Sequence, residues 1–336
     1  MHDFTVAGHL CVDLTPCLPG TAVTEPGILS EVGPVGIALG GATANTGAGL
    51  AELGASVRIS AAIGDDPLGG LARAEFARRG LSAQGLQVAP AAGTSYSVIL
   101  QPPGDDRTIW HHPGANAAFD PALVDLAGTR MLHFGYPSLM DGMVAADGGP
   151  LVDLFTRARR CGVSTSLDTA VIDPRSSAAR RDWSRIFARL LPHVDVFTPS
   201  IDDLTSAFGD ARARSRTTVE RYADRLIGAG AAIVMISAGA EGMFLRTASA
   251  SVLEKRGETV AALAPSWSDA AFWQRADPID TLATTNGAGD AATAGLLLGV
   301  ASGASVGEAA QMAATCAATR ISGRRLDSTL FPATTL

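Results

Sequence analysis

Residues 284–295 read Thr-Thr-Asn-Gly-Ala-Gly-Asp-Ala-Ala-Thr-Ala-Gly and open a long apolar segment. Ala291, Ala294, Leu297 and Leu298 recur at helical spacing, which predicts a helix over about 289–301. Gly287, Ala288 and Gly289 then sit where that helix begins. Their backbone N–H groups lack intrahelical partners and can point at one anion, with the positive end of the helix dipole behind them. Asp290 adds a carboxylate in the same first turn. An anion cradle beside a carboxylate base is what phosphoryl transfer to a hydroxyl needs. The base takes the alcohol proton, and the cradle offsets charge growing on the transferred group. Gly-x-Gly before a helix is common, so this reading needs a second element.

That element lies upstream, in Gly40-Gly41-Ala42-Thr43-Ala44-Asn45. The glycine pair opens another apolar helix over 42–53, and Gly54 reads as its stop. Strand-like residues 57–63 follow, then the turn Gly64-Asp65-Asp66-Pro67-Leu68-Gly69. Farther along stand Pro113-Gly114-Ala115-Asn116, Asp195-Val196-Phe197-Thr198-Pro199-Ser200 and Ile236-Ser237-Ala238-Gly239-Ala240-Glu241-Gly242. The first strand, Thr5-Val6-Ala7-Gly8, precedes Asp13.

In this order, and over nearly the whole chain, these pieces resemble the ribokinase (PfkB-type) family of sugar and nucleoside kinases. The resemblance implies an α/β fold: a ribokinase-like three-layer α/β/α arrangement, with a mostly parallel central sheet and a small β lid. It implies one kinase domain over 1–336, with lid segments at about 14–39 and 94–112, and a homodimer formed through the lid. It implies ATP and Mg²⁺, with a monovalent cation as a further candidate. Asp290 would be the base and Gly287, Ala288 and Gly289 the anion cradle. Asp13, Gly40, Gly41 and Asn45 would meet the acceptor. Ser237, Gly239, Gly242 and Asn286 would meet the nucleotide, with Gln311 near its adenine.

Two departures stand out. The family's Asn-x-x-Glu, which organises Mg²⁺ and its waters, appears as Ser200-Ile201-Asp202-Asp203. Asp203 could act only through a further water, which weakens the expected hold on the metal. Thr284 stands where the family's Asp-Thr-x-Gly-Ala-Gly-Asp begins with aspartate.

Composition bounds the alternatives. The chain has 336 residues, 47% of them hydrophobic, which supports a large buried core. No apolar run reaches a membrane span, and Met1-His2-Asp3-Phe4 does not read as a signal peptide. Cys11, Cys17, Cys161 and Cys316 form no Cys-x-x-Cys pair and read as reduced thiols of a cytoplasmic protein. A formal charge of −7 argues against a nucleic-acid partner. Lys255 is the only lysine and no Gly-x-x-x-x-Gly-Lys-[Ser/Thr] occurs, so this is not a P-loop protein.

Strand-like segments at 4–8, 57–63, 131–135, 163–167, 194–197 and 232–237 alternate with helix-like ones at 42–53, 68–79, 150–161, 183–190 and 217–229. Two apolar helices close the chain at about 289–301 and 305–321. This alternation implies a parallel sheet covered on both faces, with ligands at the carboxyl ends of its strands. Asp13 is read as ending the first strand segment on that edge. Tyr136 and Asp168 end strand segments there too and are acceptor candidates. Residues 14–39 and 94–112 read as antiparallel β insertions. His111 and His112 are adjacent on a strand, so they face opposite ways and cannot easily chelate one ion together. The expected function is ATP-dependent phosphorylation of a hydroxyl on a small sugar or sugar-like metabolite. A nucleoside kinase, or a catalytically weak sugar-binding homologue, is the alternative.

Overall fold

The computed structural model describes residues 2–21, 25–103, 107–210, 215–332 and 336. Residues 22–24 and 104–106, within the two expected lid segments, lie outside the described residues.

The strands are β1 (His2–Gly8), β2 (Cys11–Pro16), β3 (Val35–Gly40), β4 (Val57–Ile63), β5 (Leu86–Val88), β6 (Tyr96–Leu100) and β7 (Thr108–His112). There follow β8 (Thr129–Gly135), β9 (Ser164–Asp168), β10 (Val196–Phe197), β11 (Ile233–Ser237), β12 (Met243–Thr247) and β13 (Ala271–Gln274). The longer helices are α1 (Ala42–Glu52), α2 (Pro67–Arg78), α3 (Ala145–Arg160), α4 (Trp183–Leu190), α5 (Ile201–Phe208) and α6 (Arg216–Gly228). Three short helices, α7 (Ala250–Leu253), α8 (Glu258–Ala261) and α9 (Ala264–Trp267), precede α10 (Ala288–Ala301) and α11 (Val306–Ile321).

The large sheet runs β13-β12-β11-β10-β9-β8-β1-β4-β5. From β5 to β11 every pairing is parallel, and β12 and β13 add an antiparallel edge. Side chains alternate between its faces. On β1, Phe4 and Val6 join the core under α1, α10 and α11, whereas Ala7 joins the core under α3 to α6. α10 is buried all round from Asp290 to Ala301, as a helix apolar on every side must be. Its glycines permit this. A Cβ on Gly295 would stand 2.5 Å from the Met312 carbonyl oxygen, and one on Gly299 would stand 2.7 Å from the Ala309 Cβ, so α11 packs against bare backbone.

The expected strands and long helices appear within a few residues, with differences. α3 begins at Ala145, but Ala146, Asp147 and Gly148 are left-handed, so its regular part starts near Pro150. β5, α5, β12 and β13 are additions.

The small sheet runs β3-β2-β6-β7. Each insertion is antiparallel as expected, β2 with β3 and β6 with β7, while β2 and β6 are parallel, because they come from separate insertions meeting side by side. The placement of Asp13 is corrected. β1 ends at Gly8 (φ 121°), and after a turn at His9–Leu10 Asp13 lies inside β2, opposite Ala38 of β3. Asn116 pins that turn, accepting from the Leu10 amide at 3.1 Å and donating to the Leu10 carbonyl at 2.9 Å. Among the described residues no helix is long and apolar enough to cross a membrane.

Candidate active site

Parallel strands present their carboxyl ends along one edge of the large sheet. There a cavity of about 830 Å³ opens between that edge and the small sheet. His9 follows β1, Tyr136 follows β8, Asp168 ends β9, Asp203 lies in the first turn of α5 after β10, and Ser237 ends β11. All of them line the cavity, as ligand groups do in an open α/β sheet.

Asp290 sits at its base, 3% exposed. Three side chains donate to its carboxylate: Tyr136 Oη to Oδ2 at 2.7 Å, Asn45 Nδ2 to Oδ2 at 3.0 Å and Thr46 Oγ1 to Oδ1 at 2.9 Å. Burial pushes the Asp290 carboxyl above the usual carboxylate range, and the three donors pull it back. The Tyr136 bond depends on an unusual backbone. Tyr136 is left-handed, φ 64° and ψ 51°, between the strand end at Gly135 and Pro137. Non-glycine residues pay for that conformation, and such strain clusters at functional sites. Here it turns the phenol back toward α10.

The cradle takes shape around Gly287, which caps α10 in the left-handed region (φ 74°). A Cβ on Gly287 would lie 3.7 Å from the Asn45 side chain, and one on Gly289 would meet nothing within 4 Å. The first turn of α10 therefore faces open cavity space.

Asp13 stands at the small-sheet end, 8% exposed, its carboxyl raised by burial and held down by hydrogen bonds from Cys11, Ser97 and Asn286 and by the Arg107 charge. Gly40 lies across the β2–β3 pairing from Cys11, and a side chain on it would collide with the Asp13 carboxylate. Gly41 (φ 88°) caps α1, where a Cβ would come within 2.6 Å of His9 Nδ1. Arg107 donates to Thr285 Oγ1 at 2.7 Å, joining the approach to β7 to the approach to the cradle. Asp168 is raised well above the usual range by burial and then by the Asp290 charge. Burial lowers His9 to about 3, so its ring is neutral.

Ser200 and Asp203 form a capping box on α5. Ser200 Oγ accepts from the Asp203 amide at 3.1 Å, and Asp203 Oδ2 accepts from the Ser200 amide at 2.7 Å. The shortened Ser–Asp pair thus substitutes as a matched set. Burial raises Asp203 to about 7.

Not every expected residue converges. Gly41, Asn45, Asp13, Tyr136, Asp168, Asp203 and Gly287–Asp290 line the cavity. Ser237 and Gly239 line it and also a smaller hollow of about 160 Å³ that holds Gly242. Asn286 lines the main cavity as well, and its side chain bonds Asp13. Gln311 is exposed, donating to Asp277 at 2.9 Å and accepting from Gln274 at 2.9 Å, and it lines neither space. Thr46, His9, Cys11 and Arg107 were not singled out from the sequence. Thr46 was the most findable, since it adjoins Asn45 in the first turns of α1.

The sequence profile of the pfkB family carbohydrate kinases matches residues 1–330. The chain belongs to that family. It is an ATP-dependent carbohydrate kinase with a ribokinase-like fold. A 1-phosphofructokinase of Rhodobacter capsulatus is 28% identical over 315 residues, 92% of this chain and 87% of that protein. A PfkB protein of Polaromonas sp. JS666 superposes with a TM-score of 0.72 at 20% identity, over 99% of this chain and 100% of that one. The ribokinase of Thermotoga maritima gives 0.72 at 17% identity, over 96% and 93%.

A pH prediction follows from the three donors. A carboxylate base is lost as pH falls through its folded pKa, and each donor lowers that pKa. Tyr136→Phe removes one, so the acid limb of kcat/KM should move to higher pH, and stability should fall by about 1.5–3 kcal/mol. An unmoved acid limb would detach Tyr136 from the base.

Proposed function

We propose that this kinase phosphorylates a hydroxyl of an unphosphorylated, polyhydroxylated metabolite. The observation that carries this reading is the charge of the cavity wall. Asp13, Asp141, Asp168, Asp173, Asp202 and Asp203 line it, and Arg107 is the one arginine or lysine among the described residues that does so. Its buried histidine, His9, is neutral. Acidic and neutral groups suit sugar hydroxyls, whereas a phosphorylated acceptor needs matching positive charge. This sets the chain apart from what its 1-phosphofructokinase relative is named for.

The chemistry assigns one role to each group. Asp290 orients the acceptor hydroxyl and accepts its proton, while Asn45, Thr46 and Tyr136 fix the carboxylate. The amides at Gly287, Ala288 and Gly289 stabilise charge on the transferring group. Asp13 accepts hydrogen bonds from acceptor hydroxyls. Ser237, Gly239 and Gly242 border the nucleotide side. Asp202 and Asp203 supply the hard oxygen donors that Mg²⁺ prefers, and the open first turn of α10 leaves room for phosphates beside them. Bound there, Mg²⁺ would neutralise phosphate charge.

The small sheet serves in this reading as a lid inserted in a single domain, and as a dimer face. Val35, Ile37, Ile109 and Trp110 on it are 46–53% exposed, an apolar surface that a second copy would cover. The four free cysteines suit the cytoplasm.

ADP release should be screened with ATP over pentoses, hexoses, sugar acids, nucleosides and sugar phosphates, with and without Mg²⁺. The best unphosphorylated acceptor should exceed fructose 1-phosphate in kcat/KM by roughly tenfold or more, about 1.4 kcal/mol of transition-state preference, and turnover should require Mg²⁺. Preference for the sugar phosphate would reverse the acceptor assignment. For the dimer, sedimentation velocity should show the wild type at twice the chain mass and Trp110→Glu as monomer. A monomeric wild type would remove the lid interface.

A further inference from the structure

His9, Cys11 and His111 meet at the acceptor end of the cavity, from three different places in the chain. His9 lies in the turn after β1, Cys11 opens β2 and His111 comes from β7. One ligand atom from each lies within 4.8 Å of the others. The two imidazole Nε2 atoms are 3.3 Å apart. A tetrahedral zinc ion with nitrogens at about 2.0–2.1 Å separates two of them by roughly 3.3–3.4 Å. One outer contact is present, at His111, while His9 Nδ1 is buried without a hydrogen-bond partner. His111 Nδ1 lies 3.2 Å from Ser97 Oγ, which accepts the ring N–H when Nε2 is a ligand. Ser97 Oγ also lies 3.7 Å from Cys11 Sγ, whose thiol burial and the Asp13 charge hold well above its ordinary range. The same reading resolves the two histidines: His111 faces the cavity while His112 packs beside Tyr96, with ring centroids 5.4 Å apart.

We propose that His9, Cys11 and His111 form a binding site for a zinc-class divalent ion, with a fourth position open to the cavity. Two imidazoles and a thiolate select a borderline-soft ion and are poor ligands for Mg²⁺. Binding forms two metal–nitrogen bonds and one metal–sulfur bond. The thiol proton, now shared with Asp13 Oδ1 at 3.2 Å, leaves to solvent. The ion would tie β7 of the small sheet to the turn after β1 and sit beside Asp13, giving the site a means of being closed by metal.

The test uses the full-length protein carrying Cys17→Ser and Cys161→Ser, which removes the two exposed thiols. Titration with Co²⁺ should produce a thiolate-to-cobalt charge-transfer band and tetrahedral d–d bands. Both should saturate at one equivalent per chain and vanish on adding Zn²⁺. Cys11→Ser should abolish the charge-transfer band, and His111→Gln should weaken binding by at least the ~10–100-fold that loss of an outer partner costs. Absence of the charge-transfer band, or its persistence in Cys11→Ser, would overturn the site. If circular dichroism shows Cys11→Ser unfolded, His111→Gln decides alone, and unchanged affinity there would overturn it. The readout needs no substrate, so it stands or falls separately from the kinase reading.

Discussion

A carboxylate with almost no contact with water has to be held by donors, and at Asp290 those donors come from distant parts of the chain. Asn45 and Thr46 belong to α1, Tyr136 follows β8, and Asp290 opens α10. Hydrogen bonds to a charged group are worth about 1.5–3 kcal/mol each, and leaving such a group unpaired costs more. Convergence of these elements is therefore a condition on the fold. The glycines serve it: Gly41 lets α1 start against His9, and Gly135 lets the end of β8 pass under Ala42, where any side chain would collide.

The same geometry sorts the cavity into two ends. Asp13, His9, Cys11 and His111 mark one end, beneath the small sheet. Ser237, Gly239 and the α5 capping box mark the other, at the ends of β10 and β11. Asp290 and the first turn of α10 lie between them. In the proposed reading, a base lies between an acceptor end and a nucleotide end, beside amides facing open space, which suits in-line transfer, where positioning and charge stabilisation do most of the work.

How far this was legible in the sequence depended on range. The helix starts after Gly287 and after Gly40-Gly41 and the alternation of strands and helices are local patterns, and the fold has them where the sequence puts them. The parallel β2–β6 pairing joins two insertions that only the tertiary fold brings together, so nothing local could reveal it. Asp13 was placed on the wrong strand because the turn at His9–Leu10, clamped by Asn116, is too short to see in hydrophobic pattern. The Ser200–Asp203 departure reads as a weakened metal motif, and in the fold the two residues also pair through their own backbone as a helix cap. Gln311 rests on resemblance alone, and its exposed amide donates to Asp277, which lines the smaller hollow.

The most direct test of the account is single-turnover phosphoryl transfer by Asp290→Asn, alongside nucleotide binding by calorimetry. The amide keeps the shape of the carboxylate but cannot take the acceptor proton, and its NH₂ must face one of the three donors. The account predicts intact ATP binding with transfer slowed by roughly 10²–10⁴-fold, the usual worth of a positioned general base. Transfer at near wild-type rate would contradict it, since the buried carboxylate would then be structural and the proton would leave by another route.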